Sequence, residues 1–476
     1  MSDLKPLLLI PVENQVRELD PKLLLALVAA ERGFSSVIGS RREMEFNIDA
    51  FPQSLYLSKS MTIRSLLFFR VAKKFGHEII AWDEEALVHL PPETYFSRRL
   101  DPRAIQYVSH LFAWGQDNEE LWRQYAHLPR HTPIHIIGNP RSDMLRPELQ
   151  PFYEAEVAQF RQQYGDFILI NTNFNHINAY GPDMNLFKPV KKSDQKPAFG
   201  RAARGMSRDY AQGLRDHKKA IFEQFQKLIP QLEEAFPDFN IVVRPHPTEK
   251  HDVYKQIATR CERVYVTNDG NVVPWLRAAK AVIHNGCTTG VEAYVMKVPA
   301  ISFRAAVDED YDYGFYVLPN KISHQSFDFN QLEDLLKKIL SGQIGAADGD
   351  ERQALIGHYM AAQHGPLACE RMMDVIETIA QQLEPAAQIP LKNRMQRAVL
   401  GHGLHLAKRI KSSLPGSHNR PEFQRHRYPG ISRENLHAKL NQFQQLRGHR
   451  QQLTVEQVSD VMFKISPSEA HGEPQD

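Results

Sequence analysis

Cysteine is nearly missing from this chain. Three occur in 476 residues, Cys261, Cys287 and Cys369, too scattered for a disulfide framework or a zinc site, so a reducing, cytoplasmic setting is expected. Long apolar runs are missing too. The densest, Leu23 to Ala30, falls well short of the roughly 20 residues that span a bilayer, and no membrane-crossing helix is expected. The opening run Leu7 to Val12 is short and followed at once by Glu13, as suits a first strand and not a signal peptide. Net charge is small, +2 from 58 Lys and Arg against 56 Asp and Glu. No nucleic-acid motif with stacking aromatics is recognisable, so no nucleic-acid partner is expected. Asp308, Asp310 and Asp312 alternate, but the Gly and Glu of a calcium loop do not follow. The segment reads as a solvated loop, and no metal is expected.

What remains is an ordinary globular composition, 42% apolar and 24% charged, in a chain long enough for two domains of about 150 to 200 residues and a tail. From Leu7 onward strand-like runs alternate with helical ones: Leu7 to Val12, Pro21 to Arg32, Ser36 to Ile38, Ile63 to Phe75, His77 to Trp82, Leu111 to Trp114, Asn118 to Tyr125 and Ile134 to Ile137. That order predicts an open parallel sheet with helices on both faces, one Rossmann-like domain over residues 1–155. A second alternating series, with strands at Phe167 to Ile170, Ile241 to Val243, Val264 to Val266, Ala281 to Ile283 and Ala300 to Phe303, predicts another such domain over residues 160–385. A cleft between two facing domains is the expected ligand site. Residues 174–215 are polar and basic and read either as a functional lid or as a disordered segment.

The second series carries the chemistry. In AVIHNGCTTGVEAYVMKVPAISF, residues 281–303, a strand exits through Asn285 and Gly286, and Thr288 and Thr289 open a helix. Unpaired N–H groups and hydroxyls at such a start, backed by the helix dipole, suit a phosphate. The alternative is a capping box between Thr289 and Glu292, which needs no ligand. In IVVRPHP, residues 241–247, Arg244 and His246 leave a strand between prolines, Pro245 and Pro247, that restrict the backbone and favour hydrogen bonding to phosphate over a merely solvated His. In the first domain Asp83, Glu84 and Glu85 follow the strand His77 to Trp82, so a carboxylate is expected at the sheet's C-terminal edge, unless it serves as the acidic N-cap of the next helix. Arg141 of GNPRSD is expected to reach the cleft, or to sit beside a helix cap made by Asp143. Asn171, Thr172 and Asn175 leave the first strand of the second domain as candidates to line it.

The tail, residues 386–476, is basic. Between Leu391 and Arg450 thirteen Lys and Arg outnumber two Glu, a local charge of +11 in a chain of +2 overall. Residues 395–414 mix apolar and basic side chains at helical spacing and are expected either to meet an anionic membrane surface or to pack as a solvated helix on their own domain.

RPHP and HNGCTTGVEAYVMKVPAI in the second of two Rossmann-like domains resemble the GT-B class of glycosyltransferases. The chain is more closely similar to bacterial surface-carbohydrate biosynthesis proteins, a group akin to capsule Kdo transferases and CDP-glycerol glycerophosphotransferases, with AWDEE, GNPRSD, NTNFNHIN and RYPGIS as further points of likeness. The resemblance implies an α/β, GT-B-like fold with a basic helical tail. The N-terminal domain would hold the acceptor and the C-terminal domain the nucleotide donor. His246 and Pro247 would bind a CMP moiety, Thr288 and Thr289 its phosphate, and Glu292 the ribose. The expected activity is transfer of a sugar from a nucleotide-activated donor, such as a CMP-linked ulosonic acid, to a surface glycan or glycolipid acceptor. No cofactor is expected beyond that substrate. One of Asp83, Glu84 and Glu85 would act as base or nucleophile, although Ala86 stands where related sialyltransferases have Gly. The competing readings are a CDP-polyol phosphotransferase, a nucleotide-sugar epimerase and a non-catalytic scaffold in glycan assembly. The expected location is cytoplasmic, peripheral at the inner membrane through the tail.

Overall fold

The structure, a computed structural model, describes residues 5–190, 197–312, 316–383, 425, 427–449 and 451–468. Two compact units emerge. Unit 1 comprises Met1–Ala86, Arg99–Met144 and Tyr359–Asp476, and unit 2 comprises Leu87–Arg98 and Leu145–His358.

Unit 1 is built on β1 (Leu7–Val12), β2 (Ser36–Ser40), β3 (Ser54–Ser58), β4 (Glu78–Ala81), β5 (His110–Ala113) and β6 (Ile134–Ile136). All run parallel, in the order 2-1-3-4-5-6. Parallel strands lie under helices on both faces and so read as continuous apolar runs, and in β1 every residue from Leu8 to Val12 is buried.

Unit 2 holds β7 (Phe167–Thr172), β8 (Asn240–Pro245), β9 (Val264–Val266), β10 (Ala281–His284), β11 (Ala300–Phe303) and β12 (His324–Ser326), again parallel. Their order is β12-β11-β10-β7-β8-β9. Counted within the unit this is 3-2-1-4-5-6, the Rossmann arrangement, with its topological switch point between β7 and β10. The α/β class with two Rossmann-like sheets is therefore the observed one.

The expected boundaries differ in four places, the first being that residues 145–155 belong to unit 2. The helix Ala368–Gln382 belongs to unit 1, not to the second domain, because the buried carboxylate of Asp143 accepts from Ala368 N at 2.7 Å and Cys369 N at 2.9 Å at its N-terminus. Residues 87–98 belong to unit 2: Arg98 donates to the carbonyls of Ala202 and Arg204. The end of the expected tail is part of unit 1. There β13 (Leu453–Ser459) and β14 (Met462–Pro467) form a hairpin, and β14 pairs antiparallel with β2, covering a sheet edge that would otherwise be open. The helix Arg433–Arg447 packs on the helix Gln15–Glu31 through buried Leu436, Leu440 and Phe443.

Three cations assigned above to an anionic partner are used inside unit 1. Arg427 pairs with Glu13, Lys439 with Asp20 at 2.9 Å, and Arg447 with Glu31 at 2.8 Å and Glu370 at 3.1 Å. The stretch 395–414 lies outside the described residues. Of the polar stretch 174–215, Leu186, Phe187, Ala202, Ala203, Ala211 and Leu214 bury a small apolar cluster, and residues from Arg208 onward open the long helix Arg208–Ala235. No helix among the described residues is long and apolar enough to cross a membrane.

Candidate functional site

In unit 2 the register sets one polar row across neighbouring strands: Arg244 on β8, Asn171 on β7, His284 on β10 and Ser302 on β11. All four are buried, Arg244 at 7% exposure and His284 at 0%. They stand at the carboxyl ends of the strands around the switch point, where open α/β sheets hold ligands.

His284 is structural. Its Nδ1 accepts from Gly286 N at 3.0 Å, so the proton sits on Nε2, which lies 2.9 Å from Ser323 Oγ. Burial lowers its imidazole to about 3, which keeps it neutral. The two glycines of HNGCTTG follow from this packing. Gly286 takes a φ of +79°, and a Cβ there would fall 2.7 Å from Tyr316 Cδ1; a Cβ on Gly290 would fall 2.5 Å from His284 Nε2. Asn285 is a staple: its Oδ1 accepts from Asn173 N at 2.9 Å and its Nδ2 donates to Asn173 O at 3.2 Å.

The helix Thr288–Val295 starts with Cys287 at the N-cap position and no side-chain cap hydrogen bond. The capping-box alternative for Thr289 and Glu292 is thereby set aside. Thr288 and Thr289 are half-buried, and Thr289 Oγ1 contacts Cys287 Sγ. Glu292, 8% exposed, lies close enough to Arg244 to act on its charge.

Burial lowers the Arg244 guanidinium to about 10, against the pull of Asp269 and Glu292. One terminal nitrogen of Arg244, Nη2, donates to the carbonyls of Asp269 and Gly270, while Nε has no hydrogen-bond partner among the described residues. Asn171 Nδ2, on the neighbouring strand, also has none. Buried donors without acceptors are uncommon and call for an explanation.

His246 leaves β8 with its N–H donating to Thr172 O at 3.1 Å, and its Nδ1 lies 2.8 Å from Thr248 Oγ1. Pro247 is exposed. Thr172 is not a free lining residue. Its hydroxyl donates to Glu249 Oε1 at 3.0 Å and lies 3.1 Å from the Tyr254 hydroxyl. Glu249, 1% exposed and absent from the sequence expectations, ties the two loops together. It also accepts from His246 N at 3.1 Å and Tyr254 Oη at 2.8 Å, and burial raises its carboxyl despite these bonds. The signal was present in RPHPTE, a carboxylate three residues after His246. Asn175 is half-buried in the same β7 exit loop.

Asp312 corrects the solvated-loop reading of 308–312. It accepts from His217 Nε2 at 3.0 Å and Arg304 Nη2 at 2.8 Å, contacts that outweigh burial and lower its carboxyl.

Unit 1 carries a separate charged network at the carboxyl ends of β1, β3 and β4. Buried Lys22 donates to Glu18 at 2.8 Å and Pro11 O at 2.7 Å, and stands 3.6 Å from Glu84. Lys59 pairs with Glu18, and with Glu13 at 3.2 Å. Gln15 exchanges two hydrogen bonds with the backbone of Gly430, at 2.8 and 2.9 Å, so RYPGIS closes over the β1 exit.

The three candidate carboxylates differ within this network. Asp83, 1% exposed, is held by both arms of Arg99, and its backbone oxygen accepts from Trp114 Nε1 at 2.8 Å. It turns back onto Glu85 N at 3.2 Å and does not cap a helix. Although Glu85 is half-exposed, loss of surrounding water would raise its carboxyl; Arg17, Arg99 and Arg141 instead hold it at about 2, too weak a base for proton abstraction near neutrality. Glu84 is buried, and its Oε2 has no hydrogen-bond partner among the described residues, with Arg141 Nη1 3.9 Å away. Arg141 lies over the Trp114 ring at 5.7 Å.

No protein-family model matches the chain, and no curated protein matches it in sequence. Among solved structures, the wall teichoic acid polymerase TagF aligns with 80% of this chain and 90% of its own at 13% identity and a TM-score of 0.49. The UDP-GlcNAc 2-epimerase of Methanocaldococcus jannaschii aligns with 78% of this chain and 99% of its own at 13% identity and a TM-score of 0.45. At those scores the likenesses carry no argument about activity, and the fold rests on the two strand orders described above.

Proposed function

We propose that this protein transfers a group from a nucleotide-activated donor to a surface-glycan acceptor, with unit 2 as the donor unit and unit 1 as the acceptor unit. The observation that carries the reading is the pair of buried donors without a hydrogen-bond partner among the described residues, Arg244 Nε and Asn171 Nδ2, at the switch point beside the Gly286 turn. A donor phosphate supplies the acceptor that these groups lack. In this reading Arg244, His246, Thr288 and Thr289 bind the donor's phosphate, and Glu292 binds the ribose. Gly286 and Asn285 shape the turn. Of the acidic triplet, Glu84 is the base that takes the acceptor's proton, because Arg99 and Arg17 occupy its two neighbours. The donor we assign is CMP-linked, with no further cofactor. Contact with a membrane surface would fall to the basic residues between 392 and 420.

Calorimetry of the full chain against CMP, CDP, UDP, GDP and TDP tests this. One nucleotide should bind selectively, and Arg244→Met should weaken it at least tenfold, about 1.4 kcal/mol, with Thr289→Ala weakening it less. Folded wild-type protein that binds none of the five rules the donor reading out. Once a nucleotide is selected, the group it carries separates sugar transfer from polyol-phosphate transfer, since CMP is released in both, while release of free UDP without an acceptor marks an epimerase.

A further inference from the structure

Lys218 stands on the helix Arg208–Ala235 and is 4% exposed. Among the described residues it makes no ion pair; its Nζ contacts the Tyr316 hydroxyl and lies 4.7 Å from that ring's centroid. The carboxylates whose charge it feels are Glu249 and Asp312, and both are committed elsewhere. Glu249 serves Thr172, His246 and Tyr254, and Asp312 serves His217 and Arg304. A buried ammonium without a counter-charge is costly, and such a group persists where a ligand supplies the missing charge.

Two further observations place this lysine beside the donor turn. Tyr316 packs against Gly286, as the 2.7 Å approach of its Cδ1 to a Cβ built on Gly286 shows. His176, in the β7 exit loop, lies within electrostatic reach of Lys218, Arg98 and His246, and its Nδ1 is buried with no hydrogen-bond partner among the described residues. Burial, and after it the electrostatic influence of Lys218 and Arg98, hold His176 well below the usual imidazole range, so it stays neutral.

We propose that Lys218, with the Tyr316 hydroxyl and His176, forms a second anion pocket in unit 2 that binds a phosphate group, the ligand providing the counter-charge that no ion pair among the described residues gives this lysine. The ligand's identity as the nucleotide donor rests on the function proposed above; the phosphate chemistry does not. Lys218 itself is lowered by burial to about 8. A bound phosphate favours its protonated form, so affinity holds below about pH 8 and falls as the lysine loses its proton above it.

The test uses the full chain as wild type, Lys218→Met and Tyr316→Phe, titrated with the nucleotide the wild type binds best, with the corresponding nucleoside, and with inorganic pyrophosphate. Lys218→Met should melt no lower than wild type. It should lose at least tenfold in nucleotide affinity and lose pyrophosphate binding, while nucleoside affinity is unchanged. Wild-type nucleotide affinity should fall between pH 8 and 9.5. Nucleotide affinity within twofold of wild type in folded Lys218→Met overturns the pocket. If that variant does not fold, a flat wild-type pH profile overturns it equally. Pyrophosphate binding that needs Lys218, in a wild-type chain that binds no nucleotide, supports the pocket while removing the donor reading. Binding of neither by the folded wild type removes both.

Discussion

Lys22→Met should cost unit 1 about 3 to 5 kcal/mol, a large share of the 5 to 15 kcal/mol that holds an ordinary domain together. Lys22 is 2% exposed, and its ammonium is shared among Glu18, Glu84 and the carbonyl of Pro11. Glu18, also 2% exposed, is held well below the usual carboxylate range by Lys22 and Lys59 against a burial that would raise it. Removing Lys22 leaves Lys59 as the cation beside Glu18, with the N–H groups of Glu13 and Asn14 still donating to it, and leaves Glu84 with Arg141 at 3.9 Å. The cost comes from buried carboxylates left short of positive charge, not from a lost surface pair. Urea unfolding followed by tryptophan fluorescence reads it, since Trp82 lies against Lys22. The sign with pH is fixed. A carboxyl depressed in the folded state contributes stability above its unfolded pKa near 4.5 and loses it as pH falls. The deficit of the variant should therefore be full at pH 7 and shrink below about pH 4.5. A loss under 1 kcal/mol at pH 7 contradicts the network.

Glu84→Gln should lower turnover by about a hundredfold to ten-thousandfold while leaving nucleotide affinity unchanged, the range expected when a general base is removed. The same substitution at its neighbours should look different. Asp83→Asn breaks the Arg99 clamp on a side chain 1% exposed and should show up mainly as lost stability. Glu85→Gln removes a half-exposed partner of Arg17 and should change both quantities little. Turnover within threefold of wild type in folded Glu84→Gln removes that residue from the proposed chemistry. Lys22 keeps Glu18 in this variant, so unfolding should shift by much less than in Lys22→Met.

Most of the fold was legible because parallel strands buried on both faces are continuous apolar runs: Leu7–Val12 and Ala300–Phe303 fall where the pattern put them. The strands that escaped lack that signature. In β3, SLYLS is bracketed by serines; β12 is His-Gln-Ser; and β13, Leu453–Ser459, carries Glu456 and buries only Val455 fully. The site divides in the same way. Arg244, His246 and the Gly286 turn stand out because they end apolar strands. Lys218 acquires meaning only from Tyr316 at a separation of 98 residues, and Glu249, although signalled locally in RPHPTE, meets Thr172 across 77 residues. Local spacing encodes neither contact. The same holds for Arg427, which reads as part of a basic tail until the chain returns across 414 residues to Glu13.

Amide hydrogen exchange with and without the nucleotide selected by calorimetry shows whether the switch point of unit 2 holds the phosphate of a nucleotide donor, as proposed. The account predicts slowed exchange at Gly286 to Gly290 and at Thr172 to His176, the loops that leave β10 and β7. Calorimetric binding with protection confined to unit 1, or with no protection in those two loops, contradicts it.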